Sequence, residues 1–309
     1  MAASLPVLIT ANPFSGKGEN RERVAALAAA LESRGIPSES VWDLSERRAM
    51  LAQSGIHARY RCLVSAGGDG SIAAAVNDLR AGLSKEDEVT RLPIAMLPAG
   101  NENLFAIAFG HNRGTDALAE AIARGETKTI DAGDAGGRLF TLMASAGLDS
   151  DVVRRVDDWR VTGAEGEPLK RVSRITYAPK IVGAVTGYKY PPVTLEAEGR
   201  SVTGAHAFVF NIGQYGFNLG FARDADPGDG LLDWVVFEKA GVVALAGYGL
   251  AVLRGKHLDR ADVHHGRSAC IKLTADEPVP VQADGDPAGA TAMEVRVLPG
   301  MLRVIEGGA

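Results

Sequence analysis

The sequence predicts an α/β N-terminal domain built on a parallel sheet, followed by a mainly antiparallel β C-terminal domain. Three observations carry that prediction. Through residue 126, strand-like apolar runs alternate with helix-like stretches, the rhythm of βαβ units with right-handed crossovers. Near residue 127 the rhythm gives way to short strand-like runs with turn residues between them, the pattern of antiparallel sheets. The glycine-rich and polar clusters of the first half each follow a strand-like run, at the carboxyl edge where open parallel sheets bind ligands. The expected domains are residues 1–127 and 128–299, with 300–309 free to return to the first.

The elements follow in order. "PVLITANP" reads as a strand, and "NRERVAALAAALESRG" as a helix with Val24, Leu27 and Leu31 on one face and Gly35 as its stop. "SESVW" is a second strand and "SERRAMLAQ" a short helix. "YRCLVSAGG" and "SIAAAVNDLRAG" are the third strand and its helix, and "LPIAMLPAG" is the fourth strand, with "NLFAIAFG" and "TDALAEAIARG" helical beyond it. After residue 127, "TKTIDAGDA", "RLFTLMASAG", "PPVTLEAEG", "AHAFVFNIG", "LLDWVVFE", "ACIKLTAD", "VPVQADG" and "AMEVRVLPG" read as strands, interrupted by helical stretches near 169–187 and 240–254.

Composition narrows the class. With 46% hydrophobic and 23% charged residues over 309 positions, a packed core is readily supplied. A formal net charge of -5 excludes a general nucleic-acid binder, which needs a basic face. Cys62 and Cys270, far apart and each beside apolar residues, read as buried free thiols. The N-terminal "MAASLPVLITANP" lacks a charged leader region and runs into a strand, so a cytoplasmic chain is expected. The uncharged run 240–253 is too short to span a bilayer. It reads as a buried core helix, with a helix leaning on a membrane surface as the alternative.

"ANPFSGKG", "SAGGDGS" and "LPAGNEN" put small or hydrogen-bonding residues where a strand passes into a helix N-terminus. Exposed amides and the positive end of the helix dipole favour phosphate there. "SGKG" lacks the P-loop frame. Asp69 also reads as a cap for a helix beginning near Ser71. In the second half, Asp224, Asp226, Asp229 and Asp233 in "DADPGDGLLDW", and Asp284 and Asp286 in "VQADGDPAG", suit either Asp-Gly hairpin turns or a hard cation. His264 and His265 read as a solvated loop.

Taken together, these segments resemble the catalytic family of diacylglycerol kinases, which includes sphingosine, ceramide and bacterial lipid kinases. "NPFSGKG" is similar to its Asn-Pro-x-x-Gly-Lys-Gly motif, "GGDGS" with Asn77 behind it to Gly-Gly-Asp-Gly-Thr, and "LPAGNEN" to Leu-Pro-x-Gly-Thr-x-Asn. "DGLLDW" and "ADGD" resemble Asp-Gly-x-Leu-Asp and Asp-Gly-Glu, and "LSERR" resembles a nucleotide-contacting Thr-Glu-Arg-Arg segment. The likeness runs in order from residue 7 to about 305.

The resemblance implies ATP-dependent phosphorylation of a lipid hydroxyl, with Mg²⁺ on the phosphates. Asn12, Pro13, Phe14, Ser45, Gly67, Gly68, Gly70, Ser71 and Asn101 would surround the nucleotide, with Arg171 and Arg174 near the α-phosphate or on an ordinary helix face. Asp69 and Asp286 are the candidate catalytic carboxylates, with Asp284 beside the latter, and the base stays open between Asp69 and Asp286. Asp229 would hold a structural magnesium, with Asp226 and Leu231 offering backbone carbonyls. Tyr177, Tyr188, Tyr190, Phe217 and Phe221 would serve either an acyl cleft or the core. Three departures stand out: Asn101 for Thr, Leu104 for Asp, and Asp286 for Glu, a carboxylate shorter by roughly 1 Å against a working reach of about 2.6–3.2 Å. The implied partners are ATP, a lipid of the diacylglycerol, sphingoid-base or ceramide type, and a membrane touched transiently; a homodimer is one option for the assembly. The rivals are a soluble-substrate kinase of the NAD-kinase type and a non-catalytic nucleotide- or lipid-binding protein.

Overall fold

Strand β1 (Val7–Ala11) is buried at every position, as a central strand of a parallel sheet covered on both faces must be. A computed structural model describes residues 5–12, 19–83, 92–161, 187–216 and 218–308. The chain divides into two units, Met1–Asp131 with Gly300–Ala309, and Ala132–Pro299.

In the first unit β1 is followed by α1 (Asn20–Glu32), β2 (Ser38–Val41), α2 (Leu44–Leu51), β3 (Cys62–Gly67), α3 (Asp69–Ala81), β4 (Ile94–Pro98), α4 (Leu104–Ala108) and α5 (Thr115–Arg124). The strands run in the order β2-β1-β3-β4, parallel throughout. Leu27 and Leu31 of α1 and Leu118 and Ile122 of α5 form one core with Val7, Ile9, Val64 and Leu97. The alternate residues Leu8, Leu63 and Ile94 are buried too, because side chains alternate faces along a strand and both faces are covered. Strand β5 (Thr127–Ala135) leads out, and the division into units falls inside it. The last strand, Met293–Ile305, returns, with Val304 paired in parallel with Ile94.

His111 locks that return. Its Nδ1 accepts the Met96 amide at 3.2 Å, so Nε2 carries the proton and donates to the Ile305 carbonyl at 2.7 Å. Burial lowers the imidazole to about 4, opposed by the carbonyl of Ile305. An unfolded histidine titrates near 6.5, so between those values only the unfolded chain takes up the proton. The stability this group supplies is whole above about 6.5 and is lost as pH falls through about 4. About 3 kcal/mol is expected to disappear across that window. His111→Gln should remove that much of the fall in unfolding free energy between pH 6.5 and 4, read from urea curves at each pH; an unchanged pH dependence would assign the acid sensitivity to other groups.

The second unit continues with β6 (Arg138–Phe140), β7 (Met143–Gly147), α6 (Leu148–Val161), β8 (Val193–Ala197), β9 (Arg200–Gly204), β10 (His206–Phe210), β11 (Gln214–Tyr215) and β12 (Leu219–Gly220). Then come β13 (Leu232–Phe237), α7 (Val242–Leu253), β14 (Val263–Ser268), β15 (Cys270–Thr274), β16 (Pro280–Ala283), β17 (Asp286–Ala290) and β18 (Met293–Ile305). One antiparallel sheet has the order β14-β13-β10-β7-β16-β17. The other strands pair antiparallel as β18-β15-β8-β9. Their shared core includes Phe140, Leu195, Val209, Trp234, Ile271, Val281 and Val295, the interior of a sandwich.

Several expectations are corrected here. Residues 148–161 form a helix where none was expected, and His264 and His265 lie in β14 rather than a loop. The register Val236↔His264 and Val235↔His265 makes both ladder residues. Cys62 is buried, but Cys270 is exposed because it begins strand β15 on the outward side. The stretch near 169–187 lies outside the described residues except for Gly187.

Candidate active site

The site builds from the carboxyl edge of the parallel sheet. There the strand-end carbonyls need donors, and α1 provides them. Asn20, buried at the first position of α1, donates Nδ2 to the carbonyls of Asn12 at 2.9 Å and Ala66 at 3.1 Å. Arg23, one turn on, donates Nη1 to the Pro98 carbonyl at 2.7 Å. The ends of β1, β3 and β4 are thereby laced to one helix. Asn20 was not singled out in the sequence; its signal was an amide side chain opening a helix after a glycine-containing stretch. Its Oδ1 is buried and finds no partner.

Gly67 ends β3, and its carbonyl accepts the Ala99 amide at 2.8 Å, so the two glycine loops run side by side. A Cβ on Gly100 would lie 2.5 Å from the Gly68 Cα, and one on Gly68 would lie 3.2 Å from the Gly100 Cα. Those two positions are glycine because backbone meets backbone. Gly70 differs: a Cβ there would meet nothing within 4 Å. It lies in the first turn of α3, where amides have no helical partner and suit phosphate. Ser71 follows it, its amide bonded to the Gly68 carbonyl at 2.9 Å.

Asp69 does not cap its own helix. It is the first residue of α3, and Gly68 holds the cap position. Its carboxylate instead crosses to the neighbouring loop, where it accepts the Phe105 amide at 3.0 Å and faces the amides of Leu104 and Asn103. Burial raises its pKa, opposed by these amides. The positive end of α4 is thus taken by the protein's own carboxylate rather than left open for a ligand. Asn103, in the left-handed region at φ 56°, closes the turn by bonding both the amide and the carbonyl of Gly100. Asn101 is exposed between them.

Ser45 lies in the first turn of α2, exposed, with its amide held by Asp43 Oδ1 at 2.9 Å. Behind it Arg47 binds Asp78 of α3 at 2.8 Å and fixes α2 to α3. Asn12 follows the last residue of β1; Pro13, Phe14, Arg171, Arg174, Tyr177 and Phe217 lie outside the described residues.

In the second unit, Asp284 and Gly285 form the two-residue turn of the β16–β17 hairpin, with φ of 51° and 85°. Both central residues therefore have positive φ, the requirement of a type I′ turn. The Asp284 carboxylate accepts the amides of Thr141, Leu142 and Met143 and the Thr141 hydroxyl, at 2.6–3.0 Å. Burial raises it to about 6, opposed by those donors. With both oxygens committed to the segment that enters β7, Asp284 anchors the turn. Asp286 opens β17, its side chain about one-third exposed and bonded to Arg138 Nη2 at 2.6 Å.

Gln282 braces the same turn. Its Oε1 accepts the Gly285 amide at 2.8 Å, while Nε2 donates to Asp149 Oδ2 and to Ser145 Oγ, both at 3.0 Å. Asp149, at the start of α6, also accepts the hydroxyls of Ser145 and Tyr215, each at 2.7 Å. Burial raises the Asp149 pKa, opposed by the three side chains bonded to it. Neither Asp149 nor Gln282 was legible as a site residue, since each acts through partners distant in sequence.

The expected magnesium ligands are arranged otherwise. Asp229 Oδ1 accepts the Leu231 amide at 3.0 Å, and Oδ2 pairs with Arg267. Asp226 Oδ1 accepts the Gly228 amide at 3.1 Å. Among the described residues no three His, Cys, Asp or Glu side chains are grouped to hold a metal. The 226–231 loop is closed by its own amides and by the Arg267 guanidinium. Tyr188 and Tyr190 pack with Leu148, Val152 and Leu245, and Phe221 stacks in a ring cluster with Phe210.

A parallel sheet edged with glycine turns, joined to a β sandwich bearing an acidic turn, is the architecture of a nucleotide-dependent kinase. The diacylglycerol kinase catalytic domain matches residues 6–135, and the YegS C-terminal NAD kinase beta sandwich-like domain matches residues 143–306. The chain belongs to this family of diacylglycerol and YegS-like lipid kinases. It is 27% identical over 305 residues to a diacylglycerol kinase of Mycobacterium tuberculosis, covering 95% of this chain and 93% of that one. It is 24% identical to a diacylglycerol kinase of Bacillus subtilis, covering 90% and 88%. A crystal structure from Bacillus anthracis described as a diacylglycerol kinase shares the fold, with a TM-score of 0.69, 16% identity and coverage of 97% and 96%.

Proposed function

We propose that this kinase transfers the γ-phosphate of ATP, carried as its Mg²⁺ complex, to the hydroxyl of a neutral lipid of the diacylglycerol type. The observation that carries the reading is the paired glycine loop: Gly68 packed on Gly100, Asp69 holding the Phe105 amide, and Gly70 left open. Phosphoryl transfer asks chiefly for positioning and charge stabilisation, and rigid turns beside exposed amides supply both. The acceptor oxygen forms the new bond to the γ-phosphorus as the bond to the β-phosphate oxygen breaks. ADP leaves, and the hydroxyl proton passes to a carboxylate. Asp286 is the better candidate, since its carboxylate is about one-third exposed on a braced turn while the oxygens of Asp69 hold amides. The magnesium travels with the nucleotide. The names of the relatives favour diacylglycerol over a sphingoid base or ceramide.

The test is transfer of labelled γ-phosphate to diacylglycerol, sphingosine and ceramide in mixed micelles, with NAD and glycerol as soluble acceptors. Label is expected in diacylglycerol. Label in a soluble acceptor alone, or in none, would overturn the reading.

A further inference from the structure

Helix α7 (Val242–Leu253) was expected to sit in the core, and half of it does. Tyr248 and Val252 are buried, with the Tyr248 ring 4.7 Å from that of Phe237 and its hydroxyl accepting the Lys239 amide at 3.0 Å. The opposite face is bare. Val242, Val243, Leu250 and Leu253 are 55%, 88%, 48% and 67% exposed. Four of the seven large apolar side chains exposed among the described residues therefore lie on one helix. Ala246 and Gly249 fall between them, also exposed, and the 3–4 residue spacing makes a continuous stripe.

The charges around the stripe are mostly positive. Between Lys239 and Arg260 there are four cations and a single anion, Asp259, in a chain whose net charge is -5. Lys239 and Arg260 are spent on Asp262. Arg254 and Lys256 follow the last turn of α7, and Arg223 lies against Gly255, where a Cβ would meet its Nη2 at 2.5 Å. Among the described residues these three make no ion pair. Asp224 and Asp259 are the acids nearest them in sequence.

We propose that this face docks the kinase on an anionic bilayer, with Val243, Leu250 and Leu253 entering the acyl boundary and Arg223, Arg254 and Lys256 lying against lipid phosphates. The inference rests on the lipid-acceptor reading and extends it to the surface that meets the lipid phase. An apolar stripe with cations beside it is the make-up of a helix lying in the interface. At 12 residues, or about 18 Å, α7 falls short of the roughly 30 Å of a hydrocarbon core, so it lies on the membrane rather than across it. A second copy of the chain fits less well: four side chains offer a few hundred Å², against about 800 Å² per partner in a standard interface. With so few inserted groups, binding is reversible and salt-sensitive.

The test compares wild type with the double variant Val243→Asp, Leu253→Asp and with Arg254→Glu, Lys256→Glu. Co-sedimentation would use vesicles of phosphatidylcholine alone or mixed with equal phosphatidylglycerol. Wild type is expected to bind the mixed vesicles, the apolar variant to bind about tenfold less or weaker still, and the charge variant to lose the preference for phosphatidylglycerol. Both variants alter exposed positions, so unchanged thermal midpoints should certify folding. Activity on dioctanoylglycerol dispersed below its micelle concentration is expected to match wild type in both. Failure of wild type on that acceptor would sink the lipid-acceptor reading while leaving vesicle binding to judge α7. Wild-type binding by the apolar variant would overturn the docking surface. So would a wild-type dimer that the variant dissociates with vesicle binding intact, which would give the stripe to a second copy.

Discussion

Asp69→Asn is expected to reduce phosphoryl transfer at least about a hundredfold and to raise the KM for ATP. The native carboxylate accepts the Phe105 amide, faces those of Asn103 and Leu104, and so ties the first turn of α3 to the first turn of α4. An asparagine presents one acceptor oxygen and turns an NH₂ group toward the remaining amides, which repel it. Hydrogen bonds to a charged group contribute about 1.5–3 kcal/mol each, so losing part of this set is enough to release the 100–103 turn. A free-energy change of about 2.7 kcal/mol corresponds to a hundredfold in rate. Because the same turn packs Gly100 on Gly68, its release also moves the phosphate loop. A positioning role therefore predicts a higher KM for ATP and a thermal midpoint lowered by several degrees, together with the fall in kcat. A fall in kcat with KM and midpoint untouched would instead make Asp69 the proton acceptor. Full activity would remove it from the site.

That role could not be read from "GGDGS" alone, because the partners of Asp69 lie 34 to 36 residues further on. Sequence reading puts a side chain to local use, and so made Asp69 a cap. The parallel sheet was legible because strand and helix alternate and the apolar runs of β1, β3 and β4 are buried on both faces. The second unit was harder. Strand β14 is "VHHGRS", with few β-branched residues and intermediate or exposed positions in its middle, so its strand character comes from pairing with β13. Helix α6 follows β7 without an intervening residue, so no turn residue beyond Gly147 announces it. The stripe on α7 misled for the opposite reason: apolar composition predicts burial, and only the packed structure tells which face is covered. The pairing of Asp229 with its ladder neighbour Arg267 was equally hidden, because the two are distant in sequence. In each case the missing information was a tertiary partner.

Asp286→Asn is expected to lower kcat by about 10²–10⁴, the usual contribution of a general base, with little change in thermal midpoint. Its side chain is about one-third exposed, so the lost pair with Arg138 is partly solvated and contributes little to stability. The geometry around it is rigid. The Asp284–Gly285 turn fixes the start of β17, Gln282 holds the Gly285 amide, and Arg138 sets the carboxylate plane at 2.6 Å. Asp286→Glu restores the residue of the related motif and advances the carboxylate by about 1 Å, so activity is expected within about tenfold of wild type in either direction. Asp284→Asn is the contrasting case. It strands buried donors at Thr141, Leu142 and Met143, and the midpoint should drop sharply along with activity. The decisive readout is the kcat–pH profile: its acid limb should vanish in Asp286→Asn and survive in Asp286→Glu. If Asp286→Asn keeps more than about a tenth of wild-type turnover, below the smallest loss a general base should cause, the proton goes elsewhere. Asp69, its carboxyl already raised by burial, is then the remaining candidate base, and the double variant should show no loss beyond that of Asp69→Asn alone.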